Sequence, residues 1–167
     1  MSMMPKLAAR DLAIVAATLA LVAWSHRLQE VGAALHWPVA VLGGALVAVS
    51  GYLVHEWGHL LGALSRGSRV ELPPTLAAVF LFRFDSDRND RRQFLAMSMG
   101  GFIASILVVA LLAAVLDMRW WADRVAMGLV VLGVAATFIL EVPGAWKVYK
   151  GAPLPHGAAF VGGDGPA

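Results

Sequence analysis

Residues Pro38 to Ser65 read PVAVLGGALVAVSGYLVHEWGHLLGALS, a long apolar run in which Glu56 is the only acid. A bilayer core of about 30 Å needs roughly 20 apolar residues to cross it as a helix, so this run is long enough to span. Pro38 suits a first helical turn, where its missing N–H leaves no bond unmade. Inside the run stands His55-Glu56-Trp57-Gly58-His59. On a helix, His55 and His59 are one turn apart on the same face. Two imidazoles at that spacing can bind one zinc ion, with the intervening glutamate acting as a base toward water. In an apolar helix, imidazole and carboxylate groups are costly and usually functional. At about 1.5 Å per residue, His55 lies about 25 Å from Pro38 and about 15 Å from Ser65. The motif therefore falls within the membrane, nearer the C-terminal end of its span. The competing reading is a metal-free packing cluster in which Glu56 bonds a neighbouring helix.

Outward from this run, three more stretches have spanning character. The predicted spans are 11–27, 38–65, 93–116 and 125–146, and their alanine and glycine suit close helix packing in lipid. The composition agrees. Of 167 residues, 59% are hydrophobic and 14% charged, with a mean hydropathy of +0.72, against roughly 25% charged for a soluble domain. This excludes intrinsic disorder and argues against a water-soluble monomer. The chain has no cysteine, so disulfides, thiolate metal sites and a cysteine nucleophile are excluded. The net charge is +2 without a basic tract, which gives nucleic-acid binding no support. The expected fold is an all-α integral membrane protein, one transmembrane domain over 1–150, with a flexible Gly- and Pro-rich tail over 151–167. The first apolar segment could alternatively be a signal peptide, with Gly32-Ala33-Ala34 as a poor cleavage site. Charged Arg27 and Glu30 follow it directly, which favours an uncleaved span.

Lys and Arg bias orients the spans. Four crossings place the N-terminus, the 66–92 loop and the C-terminal tail on one side. That side holds ten of the thirteen basic residues, and Arg27, Arg119 and Arg124 lie on the other. Both termini are therefore expected in the cytoplasm, in a multi-pass protein of the cell (inner) membrane. The loop stretch from Arg69 to Asp85, RVELPPTLAAVFLFRFD, is apolar but too short to span. Its end, Val79 to Phe84, is aromatic and strand-like. It reads as a short membrane-associated hairpin or re-entrant loop, or else as an interfacial loop.

A hydrolytic zinc needs three protein ligands and one open position. His26 and His36 fall on the far side, and His156 in the tail. Asp85, Asp87 and Asp90 read as solvated loop charges, and Asp117 and Asp123 belong to the opposite side. Glu141 is the only acid besides Glu56 inside a predicted span, at about the depth of the motif. Pro143-Gly144 just after it can unwind the helix and aim a side chain inward. Glu141 is thus the candidate third ligand; pairing with Lys147 is the alternative.

The sequence resembles the site-2 protease family of intramembrane zinc metalloproteases. His55 to Val70, HEWGHLLGALSRGSRV, is similar to that family's H-E-x-G-H helix, followed by a glycine turn and a valine. Val70 to Phe84 corresponds to its membrane-associated β region. Gly100-Gly101-Phe102-Ile103-Ala104-Ser105 stands where the family has an A-G-P-x-x-N type sequence, with Ser105 in place of the substrate-gripping asparagine. At the third motif, which carries an aspartate ligand in the family, the chain reads Leu140-Glu141-Val142-Pro143-Gly144, with Glu141 as the substitute. The resemblance covers about 37–150. It implies zinc-dependent hydrolysis of peptide bonds in transmembrane substrates, with Glu56 catalytic and His55, His59 and Glu141 on Zn2+. Ser105 and Phe82 are weaker candidates for substrate contact, Phe82 through pairing of the 79–84 segment with an extended backbone. The rival readings are a catalytically inactive relative that binds transmembrane partners, and a small transporter. The latter predicts internal repeats, and none is visible.

Overall fold

The computed structural model describes residues 3–155. Four helices account for most of them: α1 Met3–Glu30, α2 His36–Leu64, α3 Arg91–Val115 and α4 Trp121–Tyr149. Each is long and apolar enough to cross a membrane, which makes the chain an all-helical, multi-pass type of protein. A two-residue ladder, β1 Val70–Glu71 with β2 Arg83–Phe84, interrupts them. Of the predicted 151–167 tail, residues 156–167, with His156, lie outside the described residues.

The helix ends follow local chemistry. Asp90 caps α3: its Oδ1 accepts the N–H of Gln93 at 2.8 Å, and Gln93 Oε1 accepts the N–H of Asp90 at 2.7 Å. This reciprocal capping box starts α3 two residues before the apolar run does. Gly67, at φ 66°, closes α2. Its N–H bonds the Leu64 carbonyl, and the Ser68 N–H reaches back to Ala63, the paired bonds of a left-handed helix stop. Helix α1 starts well before the predicted 11–27 span, and α4 outlasts 125–146 at both ends. Hydropathy marks the apolar middle of a helix, whereas its polar ends are helical too.

Three expectations need correction. Helix α4 runs unbroken through Pro143, so Glu141 is not aimed by an unwound turn. A proline is tolerated there because neighbouring groups in a membrane protein can re-satisfy the freed carbonyl. The 79–84 segment is not a strand along its length. Only Arg83–Phe84 pair, antiparallel, with Val70↔Phe84 and Glu71↔Arg83 in register. Buried Leu81 and Phe82 precede the strand, because burying two adjacent apolar side chains breaks the alternation a strand requires. Finally, Glu56 and Glu141 are not the only acids within the spans. Asp11, 5% exposed, sits well inside α1 and pairs with Arg10 at 2.7 Å.

The residues group into two compact units. One contains the start of α1 up to Leu7, His55–Ala104 and the chain from Ala136 onward. Its core joins Leu7, Leu60, Leu81, Phe84, Phe94 and Val148. The other, Ala8–Val54 with Ser105–Ala135, buries polar side chains alongside apolar ones such as Leu53, Ala126 and Val130. Asp11, Thr18 and Ser25 are all buried at seven-residue intervals, one stripe of α1, and Ser50 Oγ donates to Thr18 Oγ1 at 3.2 Å. Its loop end is tied by His26 Nε2 and Asp123 Oδ1 at 2.8 Å, with Asp123 Oδ2 accepting the Asp117 N–H at 3.0 Å.

Candidate metal centre

The site lies wholly within the first unit and begins with glycine. A Cβ on Gly58 would lie 2.6 Å from the Gly100 carbonyl oxygen, and one on Gly62 would collide with the Ala96 carbonyl. Helices α2 and α3 therefore touch backbone to backbone, which small residues alone allow. The contact brings α3 carbonyls to the imidazoles of α2. His55 Nδ1 lies 3.1 Å from the Gly101 carbonyl, and His59 Nδ1 lies 2.9 Å from that of Met97. A carbonyl can only accept, so both Nδ1 atoms carry hydrogen. The Nε2 atoms of the neutral rings are left with exposed lone pairs, the arrangement metal-binding histidines use.

Helix α4 supplies the third group. Glu141 Oε1 is 3.6 Å from His55 Nε2, and Oε2 is 3.3 Å from His59 Nε2, while the two Nε2 atoms are 2.9 Å apart. Three acceptors thus converge, with their ligand atoms all within 4.8 Å of one another. Without a metal ion or an added proton between them the arrangement is repulsive. Glu141 Oε2 is buried and has no hydrogen-bond partner. Ligand atoms around one tetrahedral zinc, each at about 2.0–2.2 Å, stand about 3.3 Å apart. Buried His55 and His59 and half-buried Glu141 can therefore hold a metal ion, and no ion pair joins Glu141 to Lys147 among the described residues.

The surroundings are dry. His55 and His59 are 4% and 3% exposed. Phe102 stands edge-on to His59, with centroids 6.5 Å apart, and packs on Phe138 at 5.3 Å, one turn before Glu141. Glu56 is buried as well and stays outside the cluster. Its Oε2 accepts the Leu81 N–H at 3.3 Å.

The remaining candidates fall elsewhere. Ser105 is buried on α3 in the other unit and is not part of the metal cluster. Phe82 is packed in the core rather than placed on the ladder. Asp85 stabilises its own turn, accepting the N–H groups of Asp87 and Arg88, and Asp90 caps α3. His26 is committed to Asp123, and His36 Nδ1 faces the Ala33 carbonyl at 2.8 Å. Sequence reasoning did not find the Met97 and Gly101 carbonyls or the Leu81 N–H. The one available signal was the paired glycines Gly58 and Gly62, which mark a close approach without naming its partner. No family model matches the chain, and no curated protein or solved structure matches it either.

Proposed function

We propose that the chain is an intramembrane zinc metalloprotease, similar to the site-2 protease family, acting on peptide bonds of transmembrane substrates. One observation carries this reading: His55 Nε2, His59 Nε2 and the Glu141 carboxylate converge, both histidines buried and Glu141 half-buried, with Glu56 beside the histidines on α2. Two imidazoles and one carboxylate with a position left open is a donor set that catalytic zinc favours. Zinc held there would polarise the scissile carbonyl and make water more acidic.

The chain's own residues do the rest. The Met97 and Gly101 carbonyls fix both rings with Nε2 facing inward. The Glu56 carboxylate takes a proton from the attacking water and returns it to the leaving amine nitrogen as the C–N bond breaks. A helical substrate has its carbonyls tied into backbone bonds, so it must unwind locally before attack. The outer edge of the short ladder at Arg83–Phe84, just after Phe82, suits pairing with such an extended backbone. The ten-to-three division of basic residues supports cytoplasmic termini in the cell membrane. Partners are then transmembrane substrates and the bilayer itself.

Metal analysis of purified full-length protein, together with two variants, tests this. Wild type should carry about one zinc per chain, and His55→Ala should lose it. Glu56→Gln should keep zinc, since this residue is not a ligand, and should cleave nothing. Metal-free wild type, or full cleavage by Glu56→Gln, overturns the proposal.

A further inference from the structure

The proposed chemistry is sealed, and over Glu56 the seal is not a helix. Glu56 is 8% exposed, and the donor at its Oε2 is the backbone N–H of Leu81, 3.3 Å away. Leu81 belongs to the 79–82 segment, which has no regular secondary structure. Its side chain is 2% exposed in the core with Leu60, Phe94 and Met97. A general base must present an oxygen to water, yet here the carboxylate is buried and one of its two oxygens already takes a hydrogen bond from the chain itself. The other side of the segment differs. Val79, Phe80 and Phe82 line a cleft of about 320 Å³ with Leu72, Pro73 and Ala78. Leu81 and Phe82 pack inward while Val79 and Phe80 are exposed on the cleft side, so outward movement unseats two core side chains but displaces no helix. Its C-terminal end is held by the two-residue strand at Arg83–Phe84 and by Phe82 and Phe84 in the same core.

We propose that residues 79–82 form a strap that holds the site latent, and that Leu81 must leave Glu56 before an extended substrate segment can reach the base. The strap's role in latency rests on the protease reading; its movement does not. Outward displacement frees Glu56 Oε2 for water and opens the side of the site on which the ladder edge lies. A substrate competes for the strap's position, so resting activity is low and rises when the strap is weakened.

Two measurements on the full-length, zinc-loaded protein test this. The first is amide hydrogen exchange of wild type in detergent. Leu81 is as buried as the helical residues Leu60 and Met97. If the strap opens as a unit, its amide should exchange about 100-fold faster than theirs, because local opening bypasses unfolding of the helices. Exchange at the same rate as Leu60 and Met97 would make the segment fixed core and overturn the strap. The second measurement is cleavage of a fluorogenic single-span peptide in liposomes by Leu81→Gly, which keeps the N–H but loses the apolar anchor. At unchanged zinc content, cleavage should rise at least about five-fold, since a weaker anchor favours the open state. A fall with zinc retained would overturn the latency role. Fast Leu81 exchange with no cleavage by any variant would support the moving strap and overturn the protease reading instead.

Discussion

Glu141 Oε2 lies 3.3 Å from His59 Nε2, and in the neutral ring neither atom has a hydrogen to give, because the ring's one N–H is the Nδ1 that donates to the Met97 carbonyl at 2.9 Å. Two lone pairs held that close need a positive charge between them, either a metal ion or a proton on Nε2. That relationship makes the Glu141 carboxylate the most informative group to change.

Glu141→Gln keeps the side chain's shape and removes its charge. Zinc affinity should fall by more than the roughly 10–100-fold that changes to outer-shell groups cost, while the helices still assemble. Competition with a chromophoric chelator reads the affinity, and circular dichroism the helix content. An unchanged affinity would assign Glu141 to packing alone.

Gly101→Ala tests how the imidazole is placed. A Cβ at Gly101 would overlap the His59 ring, so the ring must turn away from its carbonyl. Zinc content should drop although no ligand has been altered. Gly62→Ala makes a useful contrast. It strains the backbone contact with Ala96 and should lower stability by about 1–3 kcal/mol, as overpacking does, measured by thermal melting in detergent. Wild-type melting for Gly62→Ala would show that the two helices can part at no cost.

In the other unit, Asp123→Ala deprives both His26 and the Asp117 N–H of their acceptor. Both groups are part-exposed, so losing these bonds should cost about 1 kcal/mol, the net worth of an ordinary hydrogen bond. The variant should melt earlier and bind zinc as wild type does. Loss of zinc would mean that this cluster supports the metal site.

Topology is open to a direct test. A reporter fused after Lys150 should report from the cytoplasm and one inserted within 117–124 from the opposite side, as the ten-to-three basic bias requires. An external signal from the Lys150 fusion would reverse the orientation of every span.

Much of this protein follows from its sequence alone. Four apolar runs become four helices because a chain in an apolar medium must satisfy its backbone within each segment, and that depends only on local composition. His55 and His59 share a face for an equally local reason, the period of the helix. The capping of α3 is not read there: Asp90 reads as a solvated loop charge, whereas the structure shows it exchanging bonds with Gln93 three residues on. Glu141 could be nominated by elimination, but its arrival beside both imidazoles was decided by how α4 packs. Tertiary structure also chose the Met97 and Gly101 carbonyls that orient the rings, and the Leu81 N–H that occupies Glu56. It alone buried Asp11 and cut the expected strand down to Arg83–Phe84. Side-chain periodicity records which residues of one helix face the same way. It says nothing of which backbone on another element comes within 3 Å of them, because every residue carries the same carbonyl and the choice is made only when the chain packs.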